Sequence, residues 1–311
     1  MSLERFRVTR WIRVGLVASI ILFGLISFHR DIPAAHVLSK YTTPSSKFIP
    51  LDGMNVHYRD QGAGSAILLI HGSNSSLQTW EGWEEVLKRQ FRVISVDLPG
   101  HGLTGPNPSG IYDSLSLERF VDNFSNAIGL QHFSIVGNSL GGLIAWNYVI
   151  RHPGKVEKLI LIDALGYPDQ LPPFQLRMWG FPIIGQALTV FTPRFVYNKT
   201  LEQIYGHPER VTPALTDRYF DLLLRQGNRE ATRLRFSQDL NFDNLPKLKS
   251  IAVPTLVMWG ARDPWFSPEF AARFVQDIPN ALLKLYLDLG HVPMEEAPEK
   301  TSMDAASFLS R

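Results

Sequence analysis

Gly137-Asn138-Ser139-Leu140-Gly141 sets a serine between glycines in the spacing G-x-S-x-G. The motif follows the apolar run His132–Val136 and opens a helical pattern, Leu140–Arg151. A sharp strand-to-helix turn strains the serine backbone and needs neighbours without side-chain bulk. The hydroxyl then stands at a helix N-terminus, where the dipole favours a developing anion. Ser139 is therefore the candidate nucleophile. The pattern alone is weak, and its place between strand and helix gives it weight. A serine hydroxyl needs a general base near neutral pH. His291, in Leu289-Gly290-His291-Val292-Pro293, sits just past the last apolar run and is the candidate base. An imidazole in that role needs an anion to fix its tautomer. Asp263 follows the run Thr255–Met258, and the chain order is then Ser…Asp…His. Asp163, ending the run Leu159–Ile162, is a rival acid, whereas Asp288 is too close in sequence to His291 to orient the ring. A tetrahedral oxyanion needs two backbone N–H donors. One is expected from Leu140, the other from Ser73, with Asn74 as its alternative. His71 reads as a turn residue rather than a base.

These residues need elements to bring them together. Two short strands are expected in Phe48–Tyr58 around the hairpin signal Asp52-Gly53. Continuous apolar runs follow at Ala66–Ile70, Phe91–Val96, His132–Val136, Leu159–Ile162, Thr255–Met258 and Leu282–Leu287. Runs without alternation imply strands buried on both faces, as in parallel sheets. Helical patterns lie between them, at Trp83–Lys88, Leu117–Ile128, Leu140–Arg151, Pro268–Ile278 and Lys300–Leu309. The order is that of a doubly wound, mostly parallel α/β sheet, where chemistry gathers at the carboxyl ends of strands. Residues 167–250 break the alternation: eight prolines and helical patterns with no strand predict a helical insertion. Its apolar stretch, from Phe174 to Phe195, fits either packing of a cap on the sheet or an acyl-chain pocket and membrane-facing lip.

Val14–Phe28 carries no charge, and arginines precede it at 5, 7, 10 and 13. Counted from Trp11, the run is short for a membrane span but workable with Arg13 snorkelling. It reads as an uncleaved N-terminal anchor, with a cleaved signal as the alternative. Basic charge before the run favours a cytoplasmic N-terminus and an extracytoplasmic body; signal cleavage would instead secrete it. The expected organisation is an anchor or signal at 1–30, a tether at 31–46, a core in two parts at 47–166 and 251–311, and the cap at 167–250.

Composition closes other classes. The chain of 311 residues has no cysteine, which removes disulfide frameworks, iron–sulfur clusters and a thiol nucleophile. Residues 1–45 hold six Lys and Arg against Glu4 and Asp31, leaving the body at −2 within a total of +2. A slightly acidic body has no nucleic-acid footprint. The histidines lack paired metal spacing, and no Lys-Ser/Thr follows the glycines as in a P-loop.

HGSNSSLQTW (71–80), DLPGHGLT (97–104), GNSLGG (137–142), WGARDPW (259–265) and GHVPMEEAPE (290–299) together resemble the α/β-hydrolase superfamily. The likeness runs in order from about Phe48 to Leu309 and is closest to the single-domain bacterial branch with a cap over the site. It implies a Ser139–His291–Asp263 triad, an oxyanion hole at Ser73 and Leu140, and no cofactor. Haloalkane dehalogenases and epoxide hydrolases of this superfamily carry an aspartate where Ser139 stands. GNSLGG also resembles the carbon–carbon hydrolases of aromatic-ring degradation, which usually have a tryptophan where this chain has Val292. Cofactor-free haloperoxidases share the triad. The expected activity is hydrolysis of a carboxylic ester, largely apolar, through an acyl-enzyme. Carbon–carbon hydrolysis and a non-catalytic binding protein are the alternatives. Asn74, Trp179, Phe181 and Val292 are the expected substrate contacts.

Overall fold

The structure, a computed structural model, describes Ser19 and residues 22–311. Eight strands form one sheet: β1 (Ser46–Leu51), β2 (Met54–Gln61), β3 (Ala66–Ile70), β4 (Arg92–Val96), β5 (Phe133–Asn138), β6 (Val156–Ile162), β7 (Thr255–Gly260) and β8 (Leu282–Tyr286). Their spatial order is β1-β2-β4-β3-β5-β6-β7-β8. β1 and β2 pair antiparallel, as do β2 and β4; the other pairs are parallel. The β1–β2 turn has positive φ at both Asp52 and Gly53, +49° and +77°. Those angles match the twist of the two strands.

The uninterrupted apolar runs have a direct cause. Leu68, Ile70, Ile135, Leu159, Leu161 and Val257 belong to the core on one face, and Ile67, Leu69, Val136, Ile160, Ile162 and Met258 to the core on the other. Each fully buried aliphatic side chain is worth about 1.5–3 kcal/mol, so both faces must be covered. Of the helices α1 (Ala34–Tyr41), α2 (Glu81–Leu87), α3 (Ser114–Ala127) and α4 (Leu140–Arg151), α3 and α4 cover the first face and α2 the second.

Between β6 and β7 the chain builds the cap from α5 (Phe174–Arg177), α6 (Pro182–Leu188), α7 (Arg194–Ile204), α8 (Pro213–Leu224) and α9 (Asn228–Ser237), with no strand. The chain then returns through α10 (Pro268–Asp277), α11 (Pro293–Glu296) and α12 (Pro298–Leu309).

Residues 31–46 hold helix α1 and are bound to the cap. The Ile32 amide donates to the Leu224 carbonyl at 2.8 Å, and the Gln226 amide to the Ile32 carbonyl at 2.8 Å. Arg229 pairs with Asp31 at 2.6 Å, and Val37 is buried with Leu103 and Leu222. Two prolines and small polar residues gave no sign of these distant partners.

The expected anchor, Trp11–Phe28, lies mostly outside the described residues. Residues 22–27 are helical, and no helix among the described residues is long and apolar enough to cross a membrane.

Candidate active site

Ser139 lies between β5 and α4, at the N-cap of α4, with φ +53° and ψ −116°. Such a conformation costs about 1–3 kcal/mol and persists only where surroundings impose it. Here the Ser139 amide donates to the Ile162 carbonyl at 3.1 Å, and its carbonyl accepts from Gly142 and Leu165, both at 3.0 Å. Gly141 permits the turn, because a Cβ there would collide with the Ile70 carbonyl. Gly72 brings the loop after β3 against the serine: a Cβ at Gly72 would lie 3.1 Å from Ser139 Cβ.

His291 and Asp263, on the loops after β8 and β7, meet at the same sheet edge. The His291 Nδ1–H donates to Asp263 Oδ2 at 2.6 Å. Asp263 Oδ1 accepts the amides of Trp265 at 2.7 Å and Phe266 at 3.1 Å. The carboxylate is thus held on both oxygens while only 6% exposed. The ring lies 5.0 Å from that of Trp265 and 5.2 Å from that of Phe266. With Nδ1 donating, Nε2 keeps its lone pair. It is buried and has no hydrogen-bond partner. Ser139 and His291 line one cavity of about 40 Å³, together with Ser73, Asn74, Trp265 and Val292. No hydrogen bond joins the serine hydroxyl to Nε2; such contacts tighten when substrate closes a site.

Two positioning residues escaped the sequence reading. Asn138 donates from Nδ2 to the His291 carbonyl at 3.0 Å and to the Ile162 carbonyl at 3.1 Å. One amide thus ties the serine turn, β6 and the histidine loop. Glu296 Oε2 accepts the amides of Gly290 at 2.9 Å and Gly206 at 3.0 Å, joining the histidine loop to the cap. Asn138 was visible only as the unspecified position of G-x-S-x-G, and Glu296 only as part of a matched motif.

Asp163 does not hold the histidine. Its Oδ1 accepts the Gly260 amide at 3.0 Å, and Oδ2 is buried without a partner. Burial, and next the charge of Asp263, push its carboxyl well above the usual carboxylate range. Asp163, Asp263 and His291 are the group among the described residues with metal-ligand spacing, their ligand atoms lying within 4.8 Å of one another. The histidine nitrogen in contact with Asp263 is already committed to it. His71 serves the turn: Nδ1 donates to the Gly72 carbonyl at 2.8 Å and Nε2 accepts the Leu98 amide at 3.0 Å. Burial lowers its pKa, which suits the neutral ring those bonds require.

Ser73 and Leu140 share with Ser139 the wall of a larger cavity of about 450 Å³. Leu165, Leu171, Leu176, Phe181, Phe236 and Phe266 supply much of the rest. Of the expected substrate contacts, Phe181 lines this cavity, and Asn74 and Val292 line the smaller one. Trp179 lines neither: it is buried in the cap, in a turn packed on α6 and α9. Its bulk is buried within the cap instead.

The family model described as alpha/beta hydrolase fold matches residues 65–298. A 2-hydroxy-6-oxo-2,4-heptadienoate hydrolase of Pseudomonas putida is 27% identical over 251 residues, covering 77% of this chain and 87% of that protein. A 2-hydroxymuconate semialdehyde hydrolase of Pseudomonas putida is 27% identical, covering 83% and 92%. Among solved structures, a membrane phospholipase A superposes with TM-score 0.72 at 24% identity, covering 99% of this chain and 98% of that one. A thermophilic esterase from Thermogutta terrifontis gives 0.71 at 23%, covering 83% and 93%. At these identities the two structures show the fold alone.

Proposed function

The chain belongs to the alpha/beta hydrolase family, and from that premise we propose that it is a serine hydrolase of carboxylic esters acting through an acyl-enzyme. The observation that carries this reading is the His291–Asp263 pair, whose free Nε2 shares a cavity with a serine strained at the turn into α4. Ser139 Oγ attacks the acyl carbonyl while His291 Nε2 takes its proton. Asp263 holds the imidazole and stabilises its charged form. The Leu140 and Ser73 amides receive the oxyanion. Collapse breaks the bond to the alkoxy group, which takes the proton from Nε2. Water then attacks the acyl-serine, again losing a proton to His291, and the acid leaves as Ser139 regains its hydrogen.

The apolar wall of the larger cavity supports an acyl chain as substrate. Phe181 on that wall is exposed and lies 6.1 Å from exposed Phe174, and Ile183, Phe191 and Phe195 are also exposed on the cap. Residues 22–28 join them, with Phe23 against Phe195 at 6.4 Å and Phe28 against Phe191 at 6.0 Å. Exposed apolar area on this scale marks an interaction surface. We read it, with the run Trp11–Phe28, as the side facing a membrane into which that run is anchored, the body lying outside the cytoplasm. A nitrophenyl ester series tests the chain preference: rates rising from acetate to octanoate are expected, and a sharp preference for acetate contradicts it.

The Pseudomonas putida relatives favour a second reading, carbon–carbon hydrolysis of a ring-fission product by the same triad. Release of a dienoate from such a substrate, faster than any ester is cleaved, would replace the first reading.

A further inference from the structure

Three arginines are buried among the described residues: Arg59, Arg229 and Arg235. Arg59 pairs with Glu81 and Glu84, and Arg229 with Asp31. Arg235, only 4% exposed, makes no ion pair. Its Nη1 donates to Ser73 Oγ at 2.9 Å and its Nη2 to Asn74 Oδ1 at 2.8 Å. Nε is buried without a partner. A guanidinium has five N–H donors, so these bonds leave it underused. A buried cation without a counter-charge is costly and is retained where an anion completes it.

Its position is informative. Arg235 lines the 450 Å³ cavity beside Ser73 and Ser139. Of the other polar groups on that wall, the Trp265 Nε1–H is buried without a partner but carries no charge, and Gln170, Gln238, Arg177 and Asp239 are committed or exposed. Gln170 Oε1 accepts the amides of Gly166 and Tyr167, and its Nε2 donates to the Ala164 carbonyl. Gln238 bonds the backbone of Tyr112 and Gly110. Arg177 and Asp239 are exposed. The nearby imidazoles of His71 and His101 are held neutral, burial being the main cause in both. Burial also pulls the Arg235 guanidinium down to about 9, so a desolvated charge waits beside the oxyanion loop.

We propose that Arg235 is an anion subsite, which selects substrates carrying a carboxylate a few bonds from the scissile carbonyl. This rests on the ester-hydrolase reading for the reaction but not for the binding. The substrate class becomes a half-ester or other acyl compound with one anionic group near the reacting carbon and an apolar remainder along the cap. A carboxylate fits better than a phosphate, because its two oxygens match the guanidinium fork and the cavity holds no second cation that is buried.

Monomethyl and dimethyl glutarate form a matched probe pair. Calorimetry on the Ser139→Ala protein reads their binding, and kcat/KM of the unmodified enzyme reads their turnover. A charge-assisted hydrogen bond predicts about 10–100-fold preference for the half-ester in both measurements. Arg235→Gln should bring the ratio near one, and Arg235→Lys should restore part of it. A structural role in propping Ser73 and Asn74 would lower both esters together and leave the ratio unchanged, which overturns the proposal. Binding without preference for the half-ester also overturns it. Arg235-dependent binding of the half-ester with neither ester hydrolysed supports the subsite and defeats the ester-hydrolase reading alone.

Discussion

The carboxyl edge of the sheet and the inner face of the cap meet across one cavity, yet Asp263 and Asp97 on one side and Arg235 on the other are held in opposite ways. At the sheet edge the carboxylates that orient the site are bonded on both oxygens, while His291 Nε2 and Asp163 Oδ2 are left open. Asp263 is held through both oxygens, and Asp97 accepts from the amides of Leu77 and Leu103 and from His57. The cap presents Arg235 with an unfilled Nε and leaves apolar side chains in the open. A reacting group must be held within a fraction of an ångström, so the carboxylate that orients it is bonded from more than one side. A surface that awaits a ligand leaves part of its bonding to that ligand. On the proposed function the sheet edge carries the reaction and the cap the selection.

The largest expected effect tests the sheet side. Ser139→Ala should lower kcat for ester hydrolysis by about 10⁴-fold or more, with an unchanged circular dichroism spectrum. Asp263→Asn should come close behind, at about 10⁴-fold, since it imposes the wrong tautomer on His291. Steady-state rates for Asp163→Asn decide between the acids: a loss as large as that of Asp263→Asn would reassign the role to Asp163.

Changes on the cap should be smaller and selective. Phe181→Ala is expected to reduce kcat/KM for octanoate esters about tenfold more than for acetate, as aromatic area leaves the cavity wall. Equal losses on both would remove chain selection from this wall.

The smallest effect concerns stability. Asp163 keeps its proton in the fold at pH values where the unfolded chain, ionising near pH 4, has lost it. The folded state therefore binds more protons above that pH, and stability falls as pH rises. Asp163→Asn removes this dependence. Its melting temperature should exceed that of the unmodified protein at pH 8, with the gap closing toward pH 4. A constant gap across that range would show that Asp163 is ionised in the fold.

How far the sequence could be read follows the same division. Ala66–Ile70 and Leu140–Arg151 were legible to the residue, because covering both sheet faces forces continuous apolar runs and a sharp turn forces glycines. Ser139, Asp263 and His291 each follow a strand, so the sheet alone brings them to one edge. Arg235 was not legible: it lies in Asn228–Ser237, a helix rich in arginine, and only packing shows which one lacks an acid. Trp179 misled for the converse reason, since an aromatic residue in an apolar stretch looks the same whether it meets ligand or cap core. The docking of Asp31 and Ile32 on the cap depends on partners almost two hundred residues away, which no local pattern encodes.

The claim beneath all of this is that Ser139 is a nucleophile activated by His291. Intact-mass and peptide-mapping analysis after treatment with a fluorophosphonate addresses it most directly. The account predicts one covalent adduct, on Ser139, formed slowly or not at all in His291→Ala and absent from Ser139→Ala. An unmodified Ser139 in a protein that still hydrolyses esters, or equal labelling without His291, would contradict it.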